Sequence, residues 1–318
     1  MGRYIQRRLL ISIPILLMVT VLIFGLLQLT PGDPLAAFLP PDSVLPDAQK
    51  EALRQQLGLD KPAPVRYLYW LRETAQGNFG YRLKTFEPIT EAISGRIGAT
   101  LLLMGTAMTI GILLGVTLGV IAAVKQYSFL DNVLTIFAFL GVSFPVYLAG
   151  LLALYLFSLR FRIFPAGGLA TPGEPFSFTD RLEHLILPAA IISINYVAST
   201  MRYTRSAMLE VMTADYVRTA RAKGLREKAV ILRHGLRNAL LPVVTIIGAY
   251  IPNLLGGAVF IESIFSWPGL GRLYLEGIEG RDYNLIMAMT LILAVVIMIA
   301  NLLTDIVYGL IDPRIRYE

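Results

Sequence analysis

Six stretches of the chain contain no Asp, Glu, Lys or Arg: Leu9 to Leu29, Ala99 to Val124, Val133 to Leu159, Leu185 to Met201, Asn238 to Ile261 and Tyr283 to Thr304. At 1.5 Å rise per residue, each is long enough, or nearly so, to cross a hydrocarbon core of roughly 30 Å. The pattern predicts six membrane-spanning helices, the fourth being the shortest, in an all-α membrane protein. The first run exceeds the usual core of a cleavable signal, and the "LTPGDP" after it is not a small-residue cleavage site, so it is expected to remain as an anchor.

Between the first two runs, Thr30 to Gly98 forms a small helical unit outside the membrane. "TPGDP" stops the first helix, because Pro and Gly cannot continue it. Asp47 can cap a helix running to Leu57, with Gly58 just past its end. Pro64 suits the first turn of a second helix ending at Gly77. A third, from Pro88, puts Ile89, Ala92, Ile93 and Ile97 on one face and leads into the second span. This unit is either a short solvated cap or a docking surface for an outside partner. The chain thus divides into 1–29, 30–98 and a core of five helices over 99–318.

In the second span, Gly111, Gly115 and Gly119 recur at intervals of four, a packing signal that lets another helix approach closely. Pro145, Pro188, Pro242 and Pro252 are expected to break or bend the later spans, as in helices that line transporter cavities. Ser143, Tyr147, Asn195, Asn253 and Asn301 are polar residues within apolar runs. Each is either an interhelical hydrogen bond or a lining group of a translocation pathway. Glu262 and Asp305 stand at the ends of the fifth and sixth spans, where carboxylates are more often anchors than gates. "SWPGLG" after the fifth span predicts a re-entrant or interfacial turn, with Trp267 at the headgroup level.

Composition agrees: 55% of residues are hydrophobic and 16% charged, against roughly 25% charged in soluble chains. The absence of cysteine excludes disulfides and thiolate metal sites. The two histidines, His184 and His234, are far apart in sequence, which argues against zinc. The net charge of +6 has a topological explanation that needs no nucleic acid. With the N terminus inside, the cytoplasmic pieces hold 15 Lys and Arg and the two short outer loops hold five. Both termini are expected in the cytoplasm.

One segment departs from the apolar background. From Asp215 to Pro242 seven residues are basic and two acidic. At about 2.5 to 3.5 kcal/mol per basic residue at a helix centre, burying all seven in lipid would cost roughly 20 kcal/mol. The insert, within 202–237, therefore lies in the cytoplasm. Tyr216 to Lys223 favours helix, Gly224 is a natural left-handed stop, and a second helix begins at Glu227. The positive-inside rule explains its charge but not its small residues, Ala220 and Ala222.

"YVRTARAKGL" followed by "RHGLRNALLP" resembles the coupling segment of the oligopeptide, dipeptide and nickel permease family of ABC importers. Arg218, Thr219 and Ala220 stand where importers generally have Glu-Ala-Ala; Gly224, Leu241 and Pro242 take the later Gly and Leu-Pro positions. The arginine and the longer Gly224–Pro242 spacing are expected of the peptide branch. "RYIQRRLL", "TPGDP", "LRQQLGLDKP", "GNFGYRLKT", "FSWPGLGRL" and "DPRIRY" are also similar to this family, in the same order.

The resemblance implies a type I ABC importer transmembrane fold, in a bacterial or archaeal plasma (inner) membrane. It implies four kinds of partner: a second homologous permease subunit, two nucleotide-binding ATPase subunits, an extracytoplasmic solute-binding protein and the lipid bilayer. ATP and Mg would be held by the ATPases, leaving this chain without a cofactor of its own, and no Walker A pattern is present. Arg218, Thr219, Ala220, Lys223, Gly224, Leu225 and Arg226 are the candidate ATPase contact, and Glu262 and Trp267 the candidate outer contact or gate. Members of the family handle dipeptides, oligopeptides, nickel and in some cases oligosaccharides, so the resemblance leaves the solute open among these and others. An ion-coupled secondary transporter is the alternative, but neither an internal repeat nor a midplane charge is visible. No Ser, His and Asp set supports a membrane enzyme.

Overall fold

The computed structural model describes residues 2–29, 46–56, 60–252, 254 and 259–311. Among these the chain is helical, with an isolated β-bridge between Tyr81 and Pro88. Four helices are long and apolar enough to cross a membrane, and two bent pairs, each counted as one crossing, bring the number to six. "TPGDP", Leu57, Gly58, Asn253 and "DPRIRY" lie outside the described residues.

The first helix, α1, runs Gly2–Leu29. It is followed by α2, Asp47–Gln56, and α3, Ala63–Ala75. The amphipathic helix expected after Pro88 is not separate from the second span. Both form one 36-residue helix, α4, Ile89–Val124. Its first turns bury Ile89, Ala92 and Ile93 against Leu270, Leu273 and Leu285, so the apolar stripe works as anticipated but on the crossing helix itself.

The fourth run, the shortest charge-free stretch, turns out to lie within a 35-residue helix, α7, Phe178–Met212, among the most buried in the protein. Gly111, Gly115 and Gly119 of α4 meet Tyr196, Thr200 and Thr204 of α7. The offset is the same in all three pairs, so the helices run parallel. A Cβ on Gly115 or Gly119 would stand 2.6 Å from the Thr200 or Thr204 Cβ; only glycine permits this approach.

Two crossings are broken. The third comprises α5, Phe129–Ser143, and α6, Val146–Ala153, which continues as a π-helix to Arg160; they bend by 101° at Phe144 and Pro145. Proline has no N–H for the ladder and disfavours helix in the residue before it. Asp131 meets Arg205 and Gly141 meets Ala198 and Ile194, so α5 runs antiparallel to α7. In the fifth crossing, α9, Glu227–Ala229, passes through a π-helix, Val230–Leu236, into α10, Arg237–Tyr250. The bend at Pro242 is 51°. The second helix of the charged insert is therefore continuous with the crossing. Pro188, by contrast, sits inside α7 without ending it.

Among the described residues three further named helices follow: α11, Val259–Ile264, α12, Leu270–Glu279, and α13, Tyr283–Ile311. α13 lies against α1, and Arg8 Nη2 contacts Asp305 Oδ2 at 2.7 Å. The Asp305 carboxylate is thus an anchor between the first and last crossings.

Candidate functional site

The charged insert is a helix, a glycine turn and a second helix mounted on the end of α7. α8, Asp215–Ala222, is amphipathic: Val217 and Ala220 are buried with Val230 and pack against Val211 and Met212. It ends in a Schellman motif, with Leu225 N donating to Ala220 O at 3.4 Å and Gly224 N to Arg221 O at 2.9 Å. Gly224 has φ +74°, the left-handed conformation that a side chain disfavours. Across this turn Arg221 Nη2 donates to Glu227 Oε1 at 2.8 Å and Nε to Oε2 at 3.3 Å. The two helices of the insert are therefore pinned at the tip as well as at the base.

Of the predicted contact residues, Arg218, Thr219, Lys223, Gly224, Leu225 and Arg226 are exposed. Ala220 is not: it is 5% exposed and faces the insert's own small core. Its size serves the packing of α8 on Val230, so its expected place in an exposed ATPase contact is corrected. Arg218 lies 3.7 Å from Asp215, whereas Lys223 and Arg226 have no acidic partner among the described residues.

Gly235 is buried under Met208 and Met212 of α7. Two turns earlier, Arg205 Nε and Nη2 donate to Asp131 Oδ1 and Oδ2 at 2.7 and 2.8 Å. Asp131 is 2% exposed and also accepts from Tyr127 N at 3.0 Å. Sequence reading missed this pair, because its members are 74 positions apart and each stands just outside a charge-free run. The pair thereby ties α7 to α5 beside the insert.

Ser143, Tyr147, Asn195 and Asn301 are exposed on the chain and make no hydrogen bond among the described residues; Asn253 lies outside them. Ser143 and Tyr147 flank the break in the third crossing, and Tyr147 stands 6.1 Å from the Phe260 ring. Asn195 belongs to an exposed stripe of α7 that continues through Arg202, Ser206 and Glu210. Arg202 lies 5.8 Å over the Phe139 ring of α5. Asn301 is on α13, a different element. The alternative of bonds between helices of this chain thus has no support for these four. Polar groups left open at membrane depth face a water-filled path or another subunit.

Glu262 and Trp267 are fully buried. Trp267 does not sit at a headgroup surface: its Nε1 donates to Ala99 O at 2.9 Å inside the main core. The Glu262 carboxylate accepts from Thr100 Oγ1 at 2.8 Å and from Arg272 N at 3.1 Å, while Leu270 N donates to Thr100 Oγ1 at 2.8 Å. A carboxylate at the start of α12 is favoured by the unpaired N–H groups there. Glycine at 269 is required, since a Cβ would collide with that carboxylate. "FSWPGLGRL" is a latch joining α4, α11 and α12, and neither side chain is open to a partner in this structure.

Residues 115–317 match the family described as binding-protein-dependent transport system inner membrane component, and residues 1–104 match its N-terminal membrane component. A Brucella suis protein named as a peptide permease is 52% identical over 317 residues, covering 99% of each chain. The oligopeptide transport system permease protein AppB of Bacillus subtilis is 43% identical over 318 residues, covering 100% of each. Among solved structures, the MetNI methionine ABC transporter in inward-facing conformations matches with a TM-score of 0.56 at 16% identity. The match covers 71% of this chain and 99% of that one, and shows a shared fold.

Proposed function

The chain belongs to the family of binding-protein-dependent transport system inner membrane components and is a membrane permease subunit of an ABC importer, and from that premise we propose that it forms half of a pathway for peptides. A permease of this class resides in the inner membrane as a multi-pass protein and works with ATPase subunits and a solute-binding protein. The finer assignment is a heterodimer with a second homologous permease and two nucleotide-binding subunits that hold ATP and Mg²⁺. The insert and both termini face the cytoplasm, in keeping with the distribution of Lys and Arg. Peptide is favoured as the solute because the relatives at 52% and 43% identity are named for peptide or oligopeptide transport.

One observation supports the coupling role most: the exposed tip at Lys223 to Arg226 stands on a packed base that is continuous with α7. Closure of the ATPase pair would push the tip. Val217, Ala220 and Val230 would pass the push to Val211 and Met212 at the end of α7. The glycine contact would carry it to α4 and the Arg205–Asp131 pair to α5, moving the crossings as bodies between two arrangements. The exposed polar stripe through Asn195 and Arg202, with Ser143 and Tyr147, would line the path. Gly224→Glu tests the contact. The complex carrying it is expected to lose ATP-stimulated uptake, whereas normal uptake would put the contact elsewhere.

A further inference from the structure

α3 presents an apolar face outward. Val65, Leu68 and Tyr69, at spacing i, i+3 and i+4, are 47%, 62% and 61% exposed. Arg72 extends the same stripe by one turn, and Lys61 Nζ lies 5.9 Å over the Tyr69 ring. Neither a solvated cap nor an ordinary water-soluble helix turns three large apolar side chains to water in one stripe.

The other face of α3 is fastened to α1. The Tyr67 hydroxyl is 2.9 Å from Thr20 Oγ1, the Tyr67 ring is 5.5 Å from that of Phe24, and Arg66 Nη1 donates to Gln28 Oε1 at 3.2 Å. Thr20, Phe24 and Gln28 form one stripe along the last turns of a membrane-crossing helix. Thr20 lies nine residues before Leu29, about 13 Å along the helix axis at 1.5 Å per residue. The attachment therefore runs along the last turns of that helix, from Thr20 up to Gln28 beside its end. α1 is apolar and exposed on the chain over most of its length, with Val21, Leu22 and Leu26 more than half exposed.

We propose that α3 is a membrane-interface helix, with Val65, Leu68 and Tyr69 in the boundary between headgroups and acyl chains of a phospholipid leaflet. Lys61 and Arg72 extend along this face to the phosphates, as long basic side chains do at such boundaries. Tyr69 suits the same depth, having an apolar ring and a polar tip. The lipid surface is the occupant because α3 is fastened along a helix that is apolar enough to cross the membrane and is exposed over most of its surface. A soluble protein would have to displace lipid to reach it.

The chain has no cysteine, so Leu68→Cys supplies a single attachment point for an environment-sensitive fluorophore. The labelled full chain is reconstituted in phosphatidylcholine and phosphatidylglycerol vesicles. Emission is expected to shift to the blue and to be quenched by lipids carrying a nitroxide near the carbonyl end of the acyl chain. Aqueous iodide is expected to quench it several-fold less than a label at Glu51→Cys, an exposed position of α2. Iodide quenching equal to that at position 51 would overturn the proposal. So would a label shielded only on addition of the solute-binding protein, which would make this face a protein-docking surface.

Discussion

Arg205 holds Asp131 through two parallel hydrogen bonds of 2.7 and 2.8 Å, and this pair joins the start of α5 to α7 two turns from the charged insert. The carboxylate is buried and the guanidinium partly so. Removing Arg205 leaves the buried carboxylate with neutral donors such as Tyr127 N but no counter-charge, at a cost of about 3 to 5 kcal/mol. Arg205→Ala is expected to lower the thermal unfolding midpoint of the purified chain sharply. Arg205→Lys should recover little, because an ammonium cannot form the two parallel bonds. Equal stability of Arg205→Ala and the parent chain would remove this pair from the account.

The two glycine sets on α4 should respond in opposite ways. Gly111 and Gly115 are filled from outside by Tyr196 and Thr200, whereas Gly105 has nothing within 4 Å of an added Cβ. Gly115→Ala forces α4 and α7 apart and is expected to cost about 1 to 3 kcal/mol, as overpacking does. Gly105→Ala should be neutral or slightly stabilising through helix propensity. Unfolding of the two variants side by side in detergent would reveal the difference.

At the latch, Gly269→Ala and Glu262→Ala should act on the same structure. The first drives a Cβ into the carboxylate; the second leaves Thr100 Oγ1 and Arg272 N without their acceptor, a penalty of about 1 to 3 kcal/mol. Because the two residues touch, the double variant should lose less than the sum of the singles. Full additivity in a thermal-unfolding cycle would show that the two sites are independent.

Much of this architecture is legible without coordinates. Charge-free runs locate the crossings, because lipid excludes unpaired charge, and the Gly111, Gly115 and Gly119 spacing announces a close helix contact. Gly224 announces the turn of the insert. The remaining features depend on partners far away in sequence. α7 extends well past Met201 because the charge on Arg205 is met by Asp131, which a window over neighbouring residues cannot detect. Trp267 beside Pro268 and Gly269 has the composition of a membrane-surface anchor, and only the Ala99 carbonyl, 168 positions away, makes it a core residue. Ala220 illustrates the same limit: a small residue on an exposed helix suits a partner's groove and its own neighbour's side chain equally well.

The central claim is that transport through this chain is driven by ATP acting on the insert. Its direct test is peptide uptake into vesicles holding this chain, its second permease and the ATPase subunits, with the binding protein outside and ATP on the side of the insert. Uptake is expected with ATP, and an ion gradient without nucleotide should give none. Uptake driven by the ion gradient alone would contradict the account.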